Sequence, residues 1–302
     1  MKIYKSTYKN VFSIVIETEK LTAVVCPSEG GKFVSIKSKN REFLVQNPSS
    51  EFLHLSYDGE FEKTECAGFD DMFPTIDPVI VKEGSRKGKE YNDHGEVCRL
   101  SFDYEIKDNA VYLKTTSKNL NYTFEKVITA DDNGGILVNY KVVNLSSDNF
   151  NCLWAGHCLV DITSGGEILT PFSDGDEYDL VYDPFSRIAS SLGRLKLDSK
   201  KVLDFSGEED KTCYKLYFPK KLNGGAVAFK FLDGETFSIE FSKEIPYLGI
   251  WVNNGYLNNQ RNVGLEPCTL GYDTIYNAEK YNQNYKIGAN EAKTFSIKIS
   301  VL

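Results

Sequence analysis

Apolar and polar residues alternate with a period of two through most of this chain, and the longer period of an amphipathic helix is nearly absent. Residues 11–17, 21–26, 32–38 and 42–46 read as strands, with Pro27-Ser28-Glu29-Gly30-Gly31 as a turn. Four strands are predicted between residues 97 and 143. They are divided at Lys107-Asp108-Asn109, at Ser117-Lys118-Asn119 and at Asp131-Asp132-Asn133-Gly134-Gly135, clusters of residues that supply turn geometry. Further strands are predicted at 151–157, 226–232, 236–241, 247–253, 263–266 and 294–301, with Asp233-Gly234-Glu235 closing a tight hairpin. Two stretches break the pattern, 61–91 and 173–210. Both read as long loops over the sheets, and loops of that length more often carry function than idle. No internal repeat or low-complexity linker interrupts the chain. The expectation is one domain over residues 1–302, an all-β fold of two large packed antiparallel sheets with very little helix.

Composition narrows the partners. Eighteen Tyr and 19 Phe against 2 Met tilt a globular composition toward strand-favouring aromatics. The 43 acidic and 35 basic side chains leave a net charge of −8, and no basic tract is long enough to neutralise several phosphates, so neither nucleic acid nor an anionic membrane is the expected partner. The start, Met1-Lys2-Ile3-Tyr4-Lys5, lacks a signal-peptide stretch, and nothing approaches the roughly 18 apolar residues of a membrane span. A cytoplasmic protein, monomeric or weakly dimeric, is expected. The seven cysteines are odd in number, irregularly spaced and without a C-x-x-C pair, which points to reduced, mostly buried thiols.

Candidate chemistry rests on three histidines and one glutamate. His157 lies in Leu153-Trp154-Ala155-Gly156-His157-Cys158-Leu159, where burying an imidazole without purpose costs free energy. His94 lies in Tyr91-Asn92-Asp93-His94-Gly95-Glu96-Val97, at the end of a long loop, and Gly95 allows close approach of another chain or ligand. A turn histidine is the competing account. His54, in Phe52-Leu53-His54-Leu55, reads as structural. Glu266, in Val263-Gly264-Leu265-Glu266-Pro267-Cys268, is placed near a sheet rim; in apolar surroundings its pKa would rise toward the range of a general base. Taken alone, it reads better as a strand-end glutamate paired with a lysine. Other chemistries fit less well. No H-x-x-x-H pair, P-loop or dinucleotide glycine fingerprint is present. A zinc-deaminase signature around His94-Gly95-Glu96 and Pro267-Cys268 would need a cysteine where Gly271 stands.

Five segments in order, GFDDMFPTIDP (68–78), DHGEV (93–97), WAGHCL (154–159), YLGIWVN (247–253) and GLEPCTLGYD (264–273), resemble the aldose 1-epimerase family, the galactose mutarotase-like proteins, over nearly the whole chain. The resemblance implies a large antiparallel β-supersandwich. It implies that His157 is the catalytic acid, that His94 supports it at the sugar and that Glu266 is the base. It also implies a pocket bordered by residues 68–74, in which Asp70 or Asp71 accepts hydrogen bonds from sugar hydroxyls, Trp251 offers an apolar face and Asn253 a hydrogen bond. The arginine and aspartate that grip the sugar in the best-studied galactose mutarotases have no evident counterpart. The chain is closer to a divergent branch with the DHGEV motif, with Phe69 where that branch often has tryptophan. The expected activity is interconversion of α and β anomers of an aldohexose by acid/base ring opening, with a monosaccharide as substrate and no metal or cofactor required. Two alternatives are a hexose-phosphate mutarotase, with Arg86, Lys87 and Lys89 as phosphate ligands, and a non-catalytic carbohydrate-binding protein on the same fold. A carbohydrate lyase or hydrolase is a more distant one.

Overall fold

The computed structural model describes residues 1–302 and is almost entirely antiparallel sheet. The chain opens with the meander β1 (Lys2–Tyr8), β2 (Val11–Glu17), β3 (Thr22–Cys26) and β4 (Lys32–Lys37) and then crosses to β5 (Phe69–Met72). A small hairpin, β6 (Val79–Ile80) with β7 (Glu90–Tyr91), leads to the second meander, β8 (Asp103–Lys107), β9 (Ala110–Thr116), β10 (Tyr122–Ala130) and β11 (Ile136–Asn144). There follow β12 (Phe150–Asn151), β13 (Ala155–Asp161), β14 (Gly166–Leu169), β15 (Glu177–Tyr182) and β16 (Gly193–Lys196). The last part holds α1 (Ser199–Val202), β17 (Thr212–Phe218), β18 (Gly225–Phe231), β19 (Thr236–Phe241), β20 (Tyr247–Asn254) and β21 (Arg261–Cys268), then α2 (Ile275–Lys280), β22 (Lys286–Ile287) and β23 (Ala292–Val301).

Eleven strands form one sheet in the order β1-β2-β3-β4-β5-β13-β21-β20-β17-β15-β16, and eight form the other, β14-β18-β19-β23-β11-β10-β9-β8. The inward faces meet in one cluster of 71 buried apolar residues, including Ile14, Phe124, Cys158, Leu216, Ile250 and Leu265. Strand alternation then places every second residue of the eleven-stranded sheet on its outer face. That rule decides which side chains reach the site.

The all-β expectation holds, with several boundaries moved. The two stretches predicted as loops contribute strands to the large sheet: β5 lies within 61–91, and β15 and β16 within 173–210. Residues 42–46 make only isolated bridges, Lys37 with Glu42 and Leu44 with Val160. Residues 97–99 form a 3-10 turn, so the second meander starts at Asp103. The predicted strand at 151–157 is divided between β12 and β13, which belong to different sheets. All seven cysteines are free, and all but Cys66 are buried.

Candidate active site

Near its middle, the outer face of the eleven-stranded sheet carries a row of functional side chains. His157 on β13 pairs in register with Asp70 on β5. Cys158 opposite Leu265 brings His157 level with Glu266 on β21. Glu266 is opposite Gly249 on β20, and Gly249 is opposite Tyr217 on β17. One step along the strands a second row runs through Lys215, Trp251 and Gly264. Glu266 therefore sits in the middle of the strand order and two residues before the end of β21, near the strand ends as Pro267 and Cys268 led one to expect. Pro267 has no N–H to give, and the β13–β21 pairing passes from Ala155–Cys268 to Cys158–Leu265 without the residues between. The sheet is thus locally opened beside the acid and base candidates.

The two side chains meet. His157 Nε2 lies 3.8 Å from Glu266 Oε1. Side-chain exposure rises from 0% at Glu266 through 8% at His157 to 20% at His94, so the carboxylate is the floor and His94 the rim. Burial pushes the Glu266 carboxyl above its ordinary range against the opposing pull of Lys215. Burial also pushes the His157 imidazole well below its usual value, helped by His94, Lys215 and Lys32. Lys215 Nζ lies 3.0 Å from Glu266 Oε2 and 2.6 Å from Asp273 Oδ1, and Tyr217 donates to the same Asp273 oxygen at 2.8 Å.

His94 reaches this cluster from a turn that only its sequence permits. Its own φ is +58°, Gly95 follows at +78°, and a Cβ at Gly95 would lie 2.4 Å from the Phe73 carbonyl oxygen. The close approach read from Gly95 is therefore to the chain itself. The backbone N–H of His94 donates to Ile76 at 2.5 Å, and Nδ1 faces Asp93 at 3.0 Å. The imidazole stacks on Phe61 at 3.9 Å with planes 7° apart and meets the His157 ring edge-on at 5.6 Å.

The sugar-binding candidates separate by face. Asp70 shares the His157 face, but its Oδ2 is held by Lys32 at 2.9 Å. Asp71 points the other way, into the sandwich core, where Lys126 donates at 2.8 Å and the Trp154 indole N–H at 3.0 Å. It is a core carboxylate and does not border the site, because consecutive strand residues face opposite sides. Asn253 uses both ends of its amide on Leu257, donating to the carbonyl at 3.0 Å and accepting from the N–H at 2.9 Å, so its orientation is fixed by the loop it staples. Trp251 is half-buried on the site face, 6.1 Å from Tyr182. Arg86 is remote: its guanidinium donates to the carbonyls of Leu120 and Asn121 and to Asn144 Oδ1, stacked 3.8 Å from Phe150. It borders a cavity of about 380 Å³ whose lining includes none of His94, His157 and Glu266. His54 is exposed beside Glu29. No group of three or more His, Cys, Asp or Glu side chains is arranged to hold a metal ion, and no helix is long and apolar enough to cross a membrane.

Sequence reasoning passed over Lys215, Tyr217, Asp273, Phe61 and Lys32. The signal for the first two was present in Thr212-Cys213-Tyr214-Lys215-Leu216-Tyr217-Phe218, whose alternation puts Lys215 and Tyr217 on one face.

No family model matches the chain, and no curated protein matches it by sequence. Solved structures do match. A protein from Synechocystis sp. PCC 6803 superposes with a TM-score of 0.72 at 13% identity, covering 99% of both chains. A galactose mutarotase-like protein from Clostridium acetobutylicum gives 0.68 at 14% identity over 100% of this chain and 98% of its own. A galactose mutarotase related enzyme from Lactobacillus acidophilus gives 0.62 at 18% over 96% and 97%. The fold is thus the galactose mutarotase-like fold, as the five motifs implied. At these identities the likeness speaks for the fold alone, and the activity is argued from the site.

Proposed function

We propose that this protein is an aldose 1-epimerase that interconverts the α and β anomers of a neutral aldohexose, with Glu266 and His157 as the acid/base pair and His94 binding at the rim. The supporting observation is the 3.8 Å approach of His157 Nε2 to Glu266 Oε1 at the floor of one face. The anomeric hydroxyl and the ring oxygen are bonded to the same carbon, so a base and an acid that reach both must share one small site. Glu266 takes the proton from the C1 hydroxyl as the C1–ring-oxygen bond breaks. The released ring oxygen takes a proton from His157. Rotation about C1 presents the other carbonyl face, and the ring closes with the two roles exchanged.

Such a reversible exchange works best when the proton is nearly as stable on either group. In ordinary peptides imidazole and carboxyl differ by about two units. Burial lowers the imidazole here and raises the carboxyl, so both shifts act against that difference. Trp251, level with Gly264, supplies an apolar wall for the ring. A phosphorylated hexose fits this site less well, since Lys215 is engaged by Glu266 and Asp273, Lys32 by Asp70, and Arg86 lies outside. A binding protein without catalysis would have no use for an abutting acid and base.

Polarimetry of freshly dissolved α-galactose, α-glucose and α-glucose 6-phosphate tests the reading. Acceleration is expected for a neutral hexose and is expected to fall by on the order of 10²- to 10⁴-fold in Glu266→Gln or His157→Asn. Activity on the phosphate ester alone would overturn the substrate class. Full activity in both variants would overturn the catalytic assignment.

A further inference from the structure

The Glu266 carboxylate is divided between two tasks. Its Oε2 is met by Lys215 at 3.0 Å, while Oε1 faces His157 at 3.8 Å. A Cβ built on Gly264 would come within 3.1 Å of Oε1, so that oxygen looks over space that only a glycine leaves. Lys215 is in turn bound at 2.6 Å by Asp273, whose Oδ1 also accepts from Tyr217. The position of Asp273 is built with care: Tyr272 and Asp273 both have φ of +67°, a costly backbone for residues other than glycine. The Asp273 carbonyl is caught by the N–H groups of Ile76 and Asp77 at 2.9 and 3.1 Å and by the Thr75 hydroxyl at 3.1 Å. Ile76 also accepts the His94 N–H, so one short segment ties Asp273 and His94 together.

We propose that Lys215 is the positioning residue of Glu266: aligned by Asp273, it pins one carboxylate oxygen and leaves the other directed at His157 and the anomeric hydroxyl. This rests on the mutarotase reading for its last step, while the pinning itself does not. Lysine also acts through charge. The groups facing Glu266 are Lys215 and Tyr217 from β17, His157 from β13, His94 from the turn after β7, and Cys268 and Asp273 from the end of β21 and beyond it, with Asp77 next to Asp273. Lys215 favours the ionised carboxylate and Asp273 disfavours it.

Opposite signs follow for two nearly isosteric changes in one network. Lys215→Met is expected to move the acid limb of kcat/KM upward by about one unit or more and to lower kcat on the order of tenfold or more, with KM changed far less. Lys215→Arg is expected to restore the limb most of the way. Asp273→Asn, which removes the competing anion, is expected to move it downward. In parallel, Glu266 is followed by carbon NMR of labelled glutamate, assigned with Glu266→Gln, and its titration should shift in the same two directions. Shifts of the same sign in Lys215→Met and Asp273→Asn, or no shift in either, would overturn the proposal. Loss of kcat with an unmoved titration would also overturn it. If the wild-type protein proves inactive on every hexose, the mutarotase reading fails, and the NMR titration still decides whether Lys215 governs Glu266.

Discussion

Asp71 lies in the core rather than at the sugar, so its loss should be felt in stability and not in substrate binding. Asp71 and Lys126 are 2% and 1% exposed and 2.8 Å apart, linking β5 of one sheet to β10 of the other. At an effective dielectric of about 20, two unit charges at this separation attract by about 6 kcal/mol. Most of that offsets the loss of hydration on burial. Removing one partner leaves the other charge buried without its counter-ion, so Asp71→Leu and Lys126→Met should each cost about 3–5 kcal/mol. In the double variant no charge is left buried alone; the Trp154 indole N–H and the Tyr140 hydroxyl lose the Asp71 carboxylate, at about 1–3 kcal/mol, so the double variant should be more stable than either single. Urea unfolding followed by circular dichroism, with constant m, supplies the cycle. Against a total stability of 5–15 kcal/mol the single losses should be plain. If Asp71→Asn keeps full stability and raises KM for hexose, the argument from face and burial is wrong and Asp71 belongs to the site.

Three further outcomes are expected. The His157 pKa is depressed on folding, so between its folded value and about 6.5 the unfolded chain binds a proton that the native protein refuses; stability should rise with pH through this window. The Glu266 pKa is raised, so its own contribution falls as pH climbs from about 4.5 through its folded value; the two contributions oppose each other in the unaltered protein, and urea midpoints from pH 4 to 8 should keep only the falling one in His157→Asn and only the rising one in Glu266→Gln. Gly264→Ala places a methyl group 3.1 Å from Glu266 Oε1 and 3.0 Å from the Trp251 Cβ, and kcat should drop on the order of 10²-fold with a modest change in melting temperature; unchanged kcat would mean the anomeric centre lies elsewhere. Asn253→Ala removes two loop bonds and should lower stability by about 1–3 kcal/mol, with hexose KM unaltered; a raised KM at full stability would return Asn253 to the sugar.

The period-two pattern was a reliable guide where a strand has one face on the core, as in β10 and β11, because pleat geometry is a local property of the backbone. It misled at β5. Phe69-Asp70-Asp71-Met72 is short, charged and flanked by glycine and proline, yet it is wholly buried and paired to β13 on one side and β4 on the other. The strand is stable because Lys32 meets Asp70 on the outer face and Lys126 meets Asp71 on the inner one. Those lysines stand 38 residues before and 55 after their partners, and nothing in the four residues announces them.

Residue types and their local setting determined that this chain is strand-rich and drew attention to His157 and His94, whereas Glu266 came forward only through the resemblance carried by the five motifs. Which of them meet, and with what charge beside them, was decided only by the register of β13, β21, β20 and β17. A shift of one residue in any of those pairings would turn His157 or Lys215 into the core. The same register put Asp71 and Asn253 to structural use and delivered Lys215 to a carboxylate 51 positions later in the chain. Pairing over such distances is selected by burial of both sheet faces at once, a property of the packed sandwich that no single segment possesses.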